Sequence, residues 1–452
     1  MRDRTLSLPA EDLSLLTDLY ELTMAACYVG EGIDQRPASF ELFTRDLPPH
    51  FGYLIAMGLA QVLAYLEQLH FTPDQIAALQ ASGLFSQAPD RFWSLLAAAR
   101  FTGDVWAVPE GTALFANEPF LRIEAPLWQA QLVETYLLNT INYQTLVATR
   151  SARIRDVVGP TATLLEFGTR RAFGPQASLF AARAALAAGL DGTSNVLAAF
   201  KLGEQPQGTM AHALVMAIAA LEGNEDEAFA AFHRYFPQAT LLIDTYDTIA
   251  AAQRLAAQIE AGNPNLRGVR LDSGDLAGLS RQVRALLPTV RIVASGDLDE
   301  WEIARLLAAG ACIDGYGIGT RLVTGHPVNG VYKLVEIDGI PVMKESSQKI
   351  TYPGRKQIFR CLDPLHDRLG LATEMPWANE VPLLQPVMHQ GQCLPDFARQ
   401  FPDTIAAIRA RTAIAVASLP TEIRHLDQPT APPVTISVSL DALTQQTRLR
   451  NP

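Results

Sequence analysis

The chain is poor in the residues that would staple a small fold or build a metal cluster. Its four cysteines, Cys27, Cys312, Cys361 and Cys393, are scattered through 452 residues. No Cys-x-x-Cys pair occurs and no histidine stands at ligand spacing, so a disulfide framework and a zinc site are both excluded. Reduced thiols of this kind point to the cytoplasm. Long apolar runs are also missing. The longest, Ala213 to Leu221, is far shorter than the roughly 20 residues needed to span a bilayer, and "MRDRTLSLPAEDLS" lacks the apolar centre of a secretory signal. Basic charge is in deficit: 36 Lys and Arg face 47 Asp and Glu, a net charge of −11. That leaves no positive far field for coating nucleic acid or an anionic membrane, and neither is expected as a partner. A small anionic substrate remains possible, held by a few arginines focused in one cleft.

What is present is an ordinary globular composition, 48% apolar and 18% charged. The length suits two or three domains, or an α/β barrel that takes half the chain. Residues 1–126 read as a mixed α+β domain. In it "LLTDLYELTMAACYVGEG" forms a helix capped by Thr17 or Asp18, "RPASFELFTRDLP" alternates like a strand, and "YLIAMGLAQVLAYLEQL" and "DQIAALQASG" are helical. The stretch from Gly103 to Pro126 carries the Gly, Pro and Asn punctuation of a small antiparallel sheet. From Leu127 a long helix leads into βα units that extend to residue 344. Their expected strands are 162–167, 239–244, 268–272, 290–295 and 311–318. A hairpin is expected to turn at Asp338-Gly339. Residues 345–452 read as short strands and a late helix near "DTIAAIRARTAIAVASL", with a Pro-Thr-Ser tail from Asp427 as loop or edge.

Each expected βα strand ends in polar residues: "EFGTRR", "DTYDT", "RLDSGD", "SGD" and "GIGT". In parallel α/β folds, active sites form at that end, where the loops converge and helix N-termini face the ligand. Glycine beside Ser, Thr or Asp lets backbone N–H groups approach a phosphate, which suits Ser295-Gly296-Asp297 and Gly319-Thr320. A plain turn is the competing reading of each. "GEQPQGTM" lacks the Lys-Ser/Thr of a Walker loop, and "GYGIGT" lacks the spacing of a dinucleotide fingerprint. Arg170, Arg171 and Arg270 could hold a carboxylate or phosphate by paired hydrogen bonds, or could be structural partners of Glu166, Asp272 or Asp275. Asp244, Asp247, Asp272, Asp275 and Asp297 are candidate Mg²⁺ ligands or helix caps; Asp247 reads as a cap, and Asp272 and Asp275 as the better ligand pair. His212, at the mouth of the apolar run, is either a satisfied helix-start histidine or an imidazole placed to take a phosphoryl group.

Taken in order, "LLTDLYELTM", "FELFTRDLP", "EFGTRRA", "GTMAHALVMA", "GVRLDSGDL", "VASGDLDE", "GYGIGTRLVTG" and "GVYKLVEIDGIPVMKESSQKITYPGRKQIFR" resemble the signature segments of the nicotinate phosphoribosyltransferase family. The resemblance spans residues 15 to about 360. It implies an α/β fold: an irregular barrel of the type II phosphoribosyltransferase kind, with a second α+β domain built from N- and C-terminal segments. It implies that nicotinate and 5-phosphoribosyl 1-diphosphate give nicotinate mononucleotide and diphosphate in NAD salvage, with ATP as co-substrate, Mg²⁺ as cofactor and His212 as the phosphohistidine. It further implies a homodimer with shared active sites, in which Tyr20 and Asp18 reach the nicotinate from the partner subunit. Thr209, Arg270, Phe167 and Arg170 then resemble the family's nicotinate contacts. Thr320 resembles its sugar-phosphate binder, alongside Gly319, Ser295, Gly296, Asp272 and Asp275. Many relatives have Ser after the histidine, whereas this chain has Ala213. The alternatives are a phosphoribosyltransferase for nicotinamide or quinolinate, or a non-catalytic nucleotide-binding homologue. A Schiff-base aldolase is disfavoured, because no lysine stands at an expected strand end.

Overall fold

The computed structural model describes residues 8–262, 266–346, 349–430 and 434–450. The first seven residues, and Ser347 and Gln348 of "KESSQKITYPGRK", lie outside them. Two compact units result: residues 1–146 with 326–452, and residues 147–325. These limits differ from the expected division at 127 and 344. The helix Leu127–Leu132 packs on the strands Pro37–Thr44 and Pro119–Pro126, and Gly330–Ile337 pairs with Pro37–Thr44, so both flanks belong to the first unit.

The first unit centres on a seven-stranded sheet. Its order is Ile340–Pro341, Gly330–Ile337, Pro37–Thr44, Pro119–Pro126, Asp104–Ala107, Gln385–His389 and Gln392–Cys393. Pro37–Thr44 lies between two long antiparallel neighbours and is buried along all but its first residue, so its expected inward/outward alternation is absent. Glu41 points inward because Lys356 Nζ meets it at 2.9 Å. The hairpin turns at Asp338 and Gly339, with φ of 52° and 74°, the left-handed pair that a tight two-residue turn needs. A second, four-stranded sheet joins Glu380–Pro382, Lys356–Leu362, Leu365–Leu371 and Val434–Ile436, and the chain then forms the helix Val438–Arg450. Val434–Ile436 lies at the edge of its sheet, one of the two expected places for the tail, whereas the helix Val438–Arg450 is not in the sequence reading, because the Pro-Thr-Ser stretch before it carries loop signals.

The first expected helix is Leu19–Gly30. The second starts late, at Leu59, because Gly58 sits at φ 106° and ends the extended Leu54–Ile55 pair. Pro73–Ala81 has a full capping box between Thr72 and Gln75. The expected long helix breaks at Val133 into Leu127–Leu132 and Glu134–Val158.

The second unit is α/β. Its six strands are all parallel, in the order Gly192–Thr193, Thr163–Glu166, Gly315–Ile318, Arg291–Ser295, Gly268–Leu271, Leu241–Leu242. Five answer to the expected strands, each trimmed at its ends; Gly192–Thr193 leaves no mark in the sequence because two residues carry no period. Among the described residues the two edge strands share no ladder, which makes the barrel irregular. Helices follow the strands, including Pro175–Ala187, Thr248–Glu260, Leu276–Leu286 and Glu300–Ala308. Inside this unit Arg153 and Glu300, both buried, pair at 2.9 Å and tie the end of the long helix to Glu300–Ala308.

Candidate active site

At the C-terminal ends of the parallel strands a polar cluster forms around His212. The histidine opens the helix His212–Glu222, whose N-cap, Ala211, offers no side-chain bond. The positive end of the helix is therefore not neutralised by its own cap. Leu241–Leu242 delivers Asp244 and Thr245 beside it. His212 Nδ1 lies 3.0 Å from Thr245 Oγ1, and Nε2 lies 3.9 Å from Asp244 Oδ1 and 4.0 Å from Asp272 Oδ2. The imidazole thus meets a hydroxyl at Nδ1 and faces two carboxylates, beyond hydrogen-bond reach, at Nε2.

Asp244 is only 3% exposed. Its Oδ2 accepts from the Asp272 backbone N–H and the Ser273 hydroxyl, each at 2.8 Å. Its Oδ1 is buried without a hydrogen-bond partner, so this oxygen faces the imidazole with nothing else to satisfy it. Sequence reasoning offers Asp244 only as a metal ligand or cap and does not single out Thr245. The signal for both is the polar pair that ends "LLIDT".

Arg270, in the strand Gly268–Leu271, is largely buried. It donates to Thr209 Oγ1 and, at 3.1 Å, to the Met210 carbonyl, so the strand fixes the segment that leads into His212. Its Nε is buried and has no hydrogen-bond partner among the described residues, while Asp272 Oδ1 lies 3.8 Å from its Nη2. Burial pulls its pKa down from the ordinary arginine range. Asp272 and Asp244 oppose that, and the like charge of Arg170 adds to it. Arg170 is exposed on the loop after Thr163–Glu166. The buried Arg270 guanidinium, with donor capacity left over, can take an incoming anion. Arg171 is exposed, and its N–H closes the turn onto the Gly168 carbonyl at 2.8 Å.

The glycine turns have specific steric reasons. Gly296 has φ 93°, and a Cβ there would come within 2.1 Å of the Asp272 carbonyl oxygen. The turn after Arg291–Ser295 thus packs against the neighbouring strand end, and Ser295 donates its hydroxyl to Asp272 Oδ1. The Phe167 ring lies against Gly317, where a Cβ would be 2.3 Å from it. Gly319 caps the short helix Thr320–Val323, beside the Phe167 carbonyl.

The expected Mg²⁺ pair does not form. Asp275 accepts from the Gly278 N–H at 3.1 Å and caps Leu276–Leu286, while Asp247 caps Thr248–Glu260 as expected. Asp272 has one oxygen committed to Ser295. Among the described residues no group of three His, Cys, Asp or Glu side chains could hold a metal ion. Asp272 and Asp275 therefore do not present a ready pair of ligands for a metal ion held by side chains alone.

Tyr20 and Asp18 belong to the first unit. Tyr20 is 44% exposed on the helix Leu19–Gly30; partial burial, then Glu134 and Glu21, push its hydroxyl pKa upward, so it stays a neutral phenol. Asp18 stands at the N-cap but bonds Thr135 Oγ1 at 3.1 Å instead of capping. The four cysteines are free, and among the described residues no helix is long and apolar enough to cross a membrane.

Comparison with known proteins agrees with this arrangement. Residues 15–142 match the model of the nicotinate phosphoribosyltransferase N-terminal domain, and residues 162–360 match that of the nicotinate phosphoribosyltransferase family. A Mycobacterium tuberculosis nicotinate phosphoribosyltransferase is 43% identical over 427 residues, covering 92% of this chain and 89% of the relative. The Homo sapiens enzyme of that name is 34% identical, covering 95% of each. The crystal structure of human nicotinic acid phosphoribosyltransferase superposes with a TM-score of 0.82 at 31% identity, over 95% of this chain and 99% of that one. A nicotinate-nucleotide pyrophosphorylase from Pyrococcus furiosus gives a TM-score of 0.75 at 26% identity, over 92% and 98%. With both of its units matched and its strand-end cluster in place, this chain belongs to the nicotinate phosphoribosyltransferase family.

Proposed function

We propose that the protein joins nicotinate to 5-phosphoribosyl 1-diphosphate, releasing diphosphate and forming nicotinate mononucleotide for NAD salvage. The observation that carries this reading is the buried Arg270 guanidinium at a strand end, bonded to Thr209 in the segment before His212 with its Nε left unpartnered among the described residues, a cation suited to a small carboxylate. Arg270 and Thr209 are the nicotinate contacts, with Phe167 and Arg170 on the adjoining loop. Gly319 and Thr320 receive the sugar phosphate by resemblance to the family, and Ser295, Gly296 and Asp272 the diphosphate sugar. Tyr20 and Asp18 complete the ring site from a partner subunit of a homodimer; the half-exposed phenol supports that role.

In the reaction the C1–O bond of the sugar breaks, its electron pair leaves with diphosphate, and the pyridine nitrogen forms the new bond to C1. That nitrogen is unprotonated at neutral pH, so no general base is required. The protein's work is to hold the ring in line with C1 and to oppose the charge growing on the leaving group. Mg²⁺ is proposed only as a companion of the diphosphate, and no step is assigned to it.

ATP is the proposed co-substrate. The ring nitrogen of His212 that carries no hydrogen attacks the terminal phosphorus, the bond to the bridging oxygen breaks, and ADP leaves. Thr245, bonded at Nδ1, orients the imidazole, and Asp244 and Asp272 lie on its Nε2 side. The free cysteines support a cytoplasmic location. Nicotinate, nicotinamide and quinolinate are each assayed with and without ATP. Turnover of nicotinate alone, stimulated by ATP, is expected; preference for either other base overturns the reading.

A further inference from the structure

The sequence offers Glu166 only as a partner for arginine, yet among the described residues it bonds none. It ends the strand Thr163–Glu166 and is fully buried. One carboxylate oxygen accepts the Gly168 N–H and the other the Thr193 hydroxyl. Thr193 Oγ1 in turn accepts the Asn195 N–H at 3.0 Å, which leaves its own hydrogen for Glu166. A buried carboxylate without a bonded cation is a costly way to fill space, and an apolar side chain would be cheaper. Burial accordingly pushes the Glu166 carboxyl pKa upward, against the pull of the bonds from Thr193 and Gly168.

What the carboxylate does is join two loops that the sheet barely holds. Gly192–Thr193 is an edge strand with two residues in register, Gly192 opposite Leu165 and Thr193 opposite Glu166. Beyond it the Ser194 N–H reaches the Glu166 carbonyl at 3.0 Å, and the Gln207 N–H reaches the Thr193 carbonyl at 2.8 Å. The Gln207 side chain covers Gly192 so closely that a Cβ there would lie 2.6 Å from it. Thr209 follows two residues later. On the other side, Phe167 and Arg170 follow Glu166 directly, and the Gly168 N–H that Glu166 holds lies between them. Gly168 has no room for a side chain either: a Cβ would fall 2.4 Å from Val323 and 2.8 Å from the Glu166 carboxylate.

We infer that Glu166 is a positioning residue whose carboxylate, through Thr193 and the Gly168 N–H, locks the loops carrying Phe167, Arg170 and Thr209 onto the pyridine carboxylate. This rests on the proposed nicotinate site but assigns a role to two residues outside it. A glutamine at this position keeps an acceptor for Gly168 and presents an amide donor to Thr193 Oγ1. Alanine keeps neither, and valine at 193 removes the hydroxyl at nearly constant shape.

The test compares wild type, Glu166→Gln, Glu166→Ala and Thr193→Val for steady-state turnover of nicotinate, with the KM for the diphosphate sugar and the thermal midpoint measured in parallel. The expected result is a KM for nicotinate raised about tenfold or more in Glu166→Ala and Thr193→Val, an order set by losing a buried hydrogen bond to a charged group. The KM for the sugar substrate should move by less than about threefold, and Glu166→Gln should restore the nicotinate KM to within about threefold of wild type. Equal loss for both substrates, or an unchanged nicotinate KM in Thr193→Val, overturns the inference. Should Glu166→Ala fail to fold, Thr193→Val and Glu166→Gln decide alone. Absence of nicotinate turnover in the wild type would instead defeat the proposed function, so the two failures are distinct.

Discussion

The two units use charge in opposite ways. In the first, Arg360 and Arg368 are buried and nearly saturated. Arg360 donates to Asp367 at 2.8 Å and to the Ala113 carbonyl at 2.7 Å, with Glu118 at 3.7 Å. Arg368 meets Glu380 at 2.6 Å and Glu374 at 2.8 Å, and lies over the rings of Phe359 and Trp377 at 4.2 and 4.5 Å. In the second, the charges at the strand ends are left incomplete. His212 and Asp272 are each more than one-third exposed and stand 4.0 Å apart, too far for a hydrogen bond. Asp244 Oδ1 and Arg270 Nε are buried without partners. Away from the strand ends the second unit also pairs its charges, as Arg153 and Glu300 do. At the strand ends, where unpartnered buried atoms stand beside exposed His212 and Asp272, a ligand is expected to finish the network, whereas the ion pairs of Arg360 and Arg368 fix the fold.

The sharpest way to break this contrast is His212→Asn. It is expected to abolish phosphate labelling from radiolabelled ATP and all ATP stimulation, while the unfolding free energy moves by no more than about 1 kcal/mol. Retained labelling would remove the imidazole from the mechanism. Next in size is Arg360→Leu, which leaves Asp367 and Glu118 buried without their cation. A loss of about 3 to 5 kcal/mol is expected in denaturant unfolding, and a loss below about 1 kcal/mol would show that the buried pairs of the first unit are not what fixes it. Arg270→Lys should raise the KM for nicotinate roughly tenfold, the size of a charge-assisted contact worth about 1.5 to 3 kcal/mol. An unchanged KM would return Arg270 to a purely structural place beside Thr209.

The smallest effect concerns Glu21, buried in the first unit and bonded by Thr135 N–H at 2.9 Å and Thr135 Oγ1 at 2.7 Å. Burial raises its pKa from 4.5 to about 7, with the bonds from Thr17 and Thr135 pulling the other way. Between these two values the folded chain binds more protons than the unfolded one. Its contribution is full below the unfolded pKa and is lost as pH rises through the folded one. Glu21→Gln should flatten the fall in stability between about pH 4.5 and 7 by an order of 1 to 3 kcal/mol. An identical pH profile for wild type and variant would mean that the carboxyl ionises freely.

Much of this is legible in the residues, for reasons that differ by element. Five strands of the second unit can be read because each is a short apolar run that ends in polar residues. The hairpin can be read because Asp338-Gly339 must take positive φ. Pro37–Thr44 misleads because a partner 315 positions away, Lys356, draws Glu41 inward. Asp275 misleads because helix caps and metal ligands use the same oxygen atoms, and only the Gly278 N–H decides between them. The last helix escapes a sequence reading because a loop-like stretch precedes it.

By itself the sequence determined most of the strands of the second unit and several helices, and which strand ends carry histidine, arginine, aspartate and glycine, because these follow from local period, turn chemistry and side-chain type. Tertiary structure decided which of those groups meet. Asp244 and Thr245 face His212, Arg270 reaches across to Thr209, and Glu166 turns to Thr193 instead of an arginine. These meetings depend on the order in which parallel strands lie side by side. That order is set by packing across the whole sheet, which no local window of residues contains.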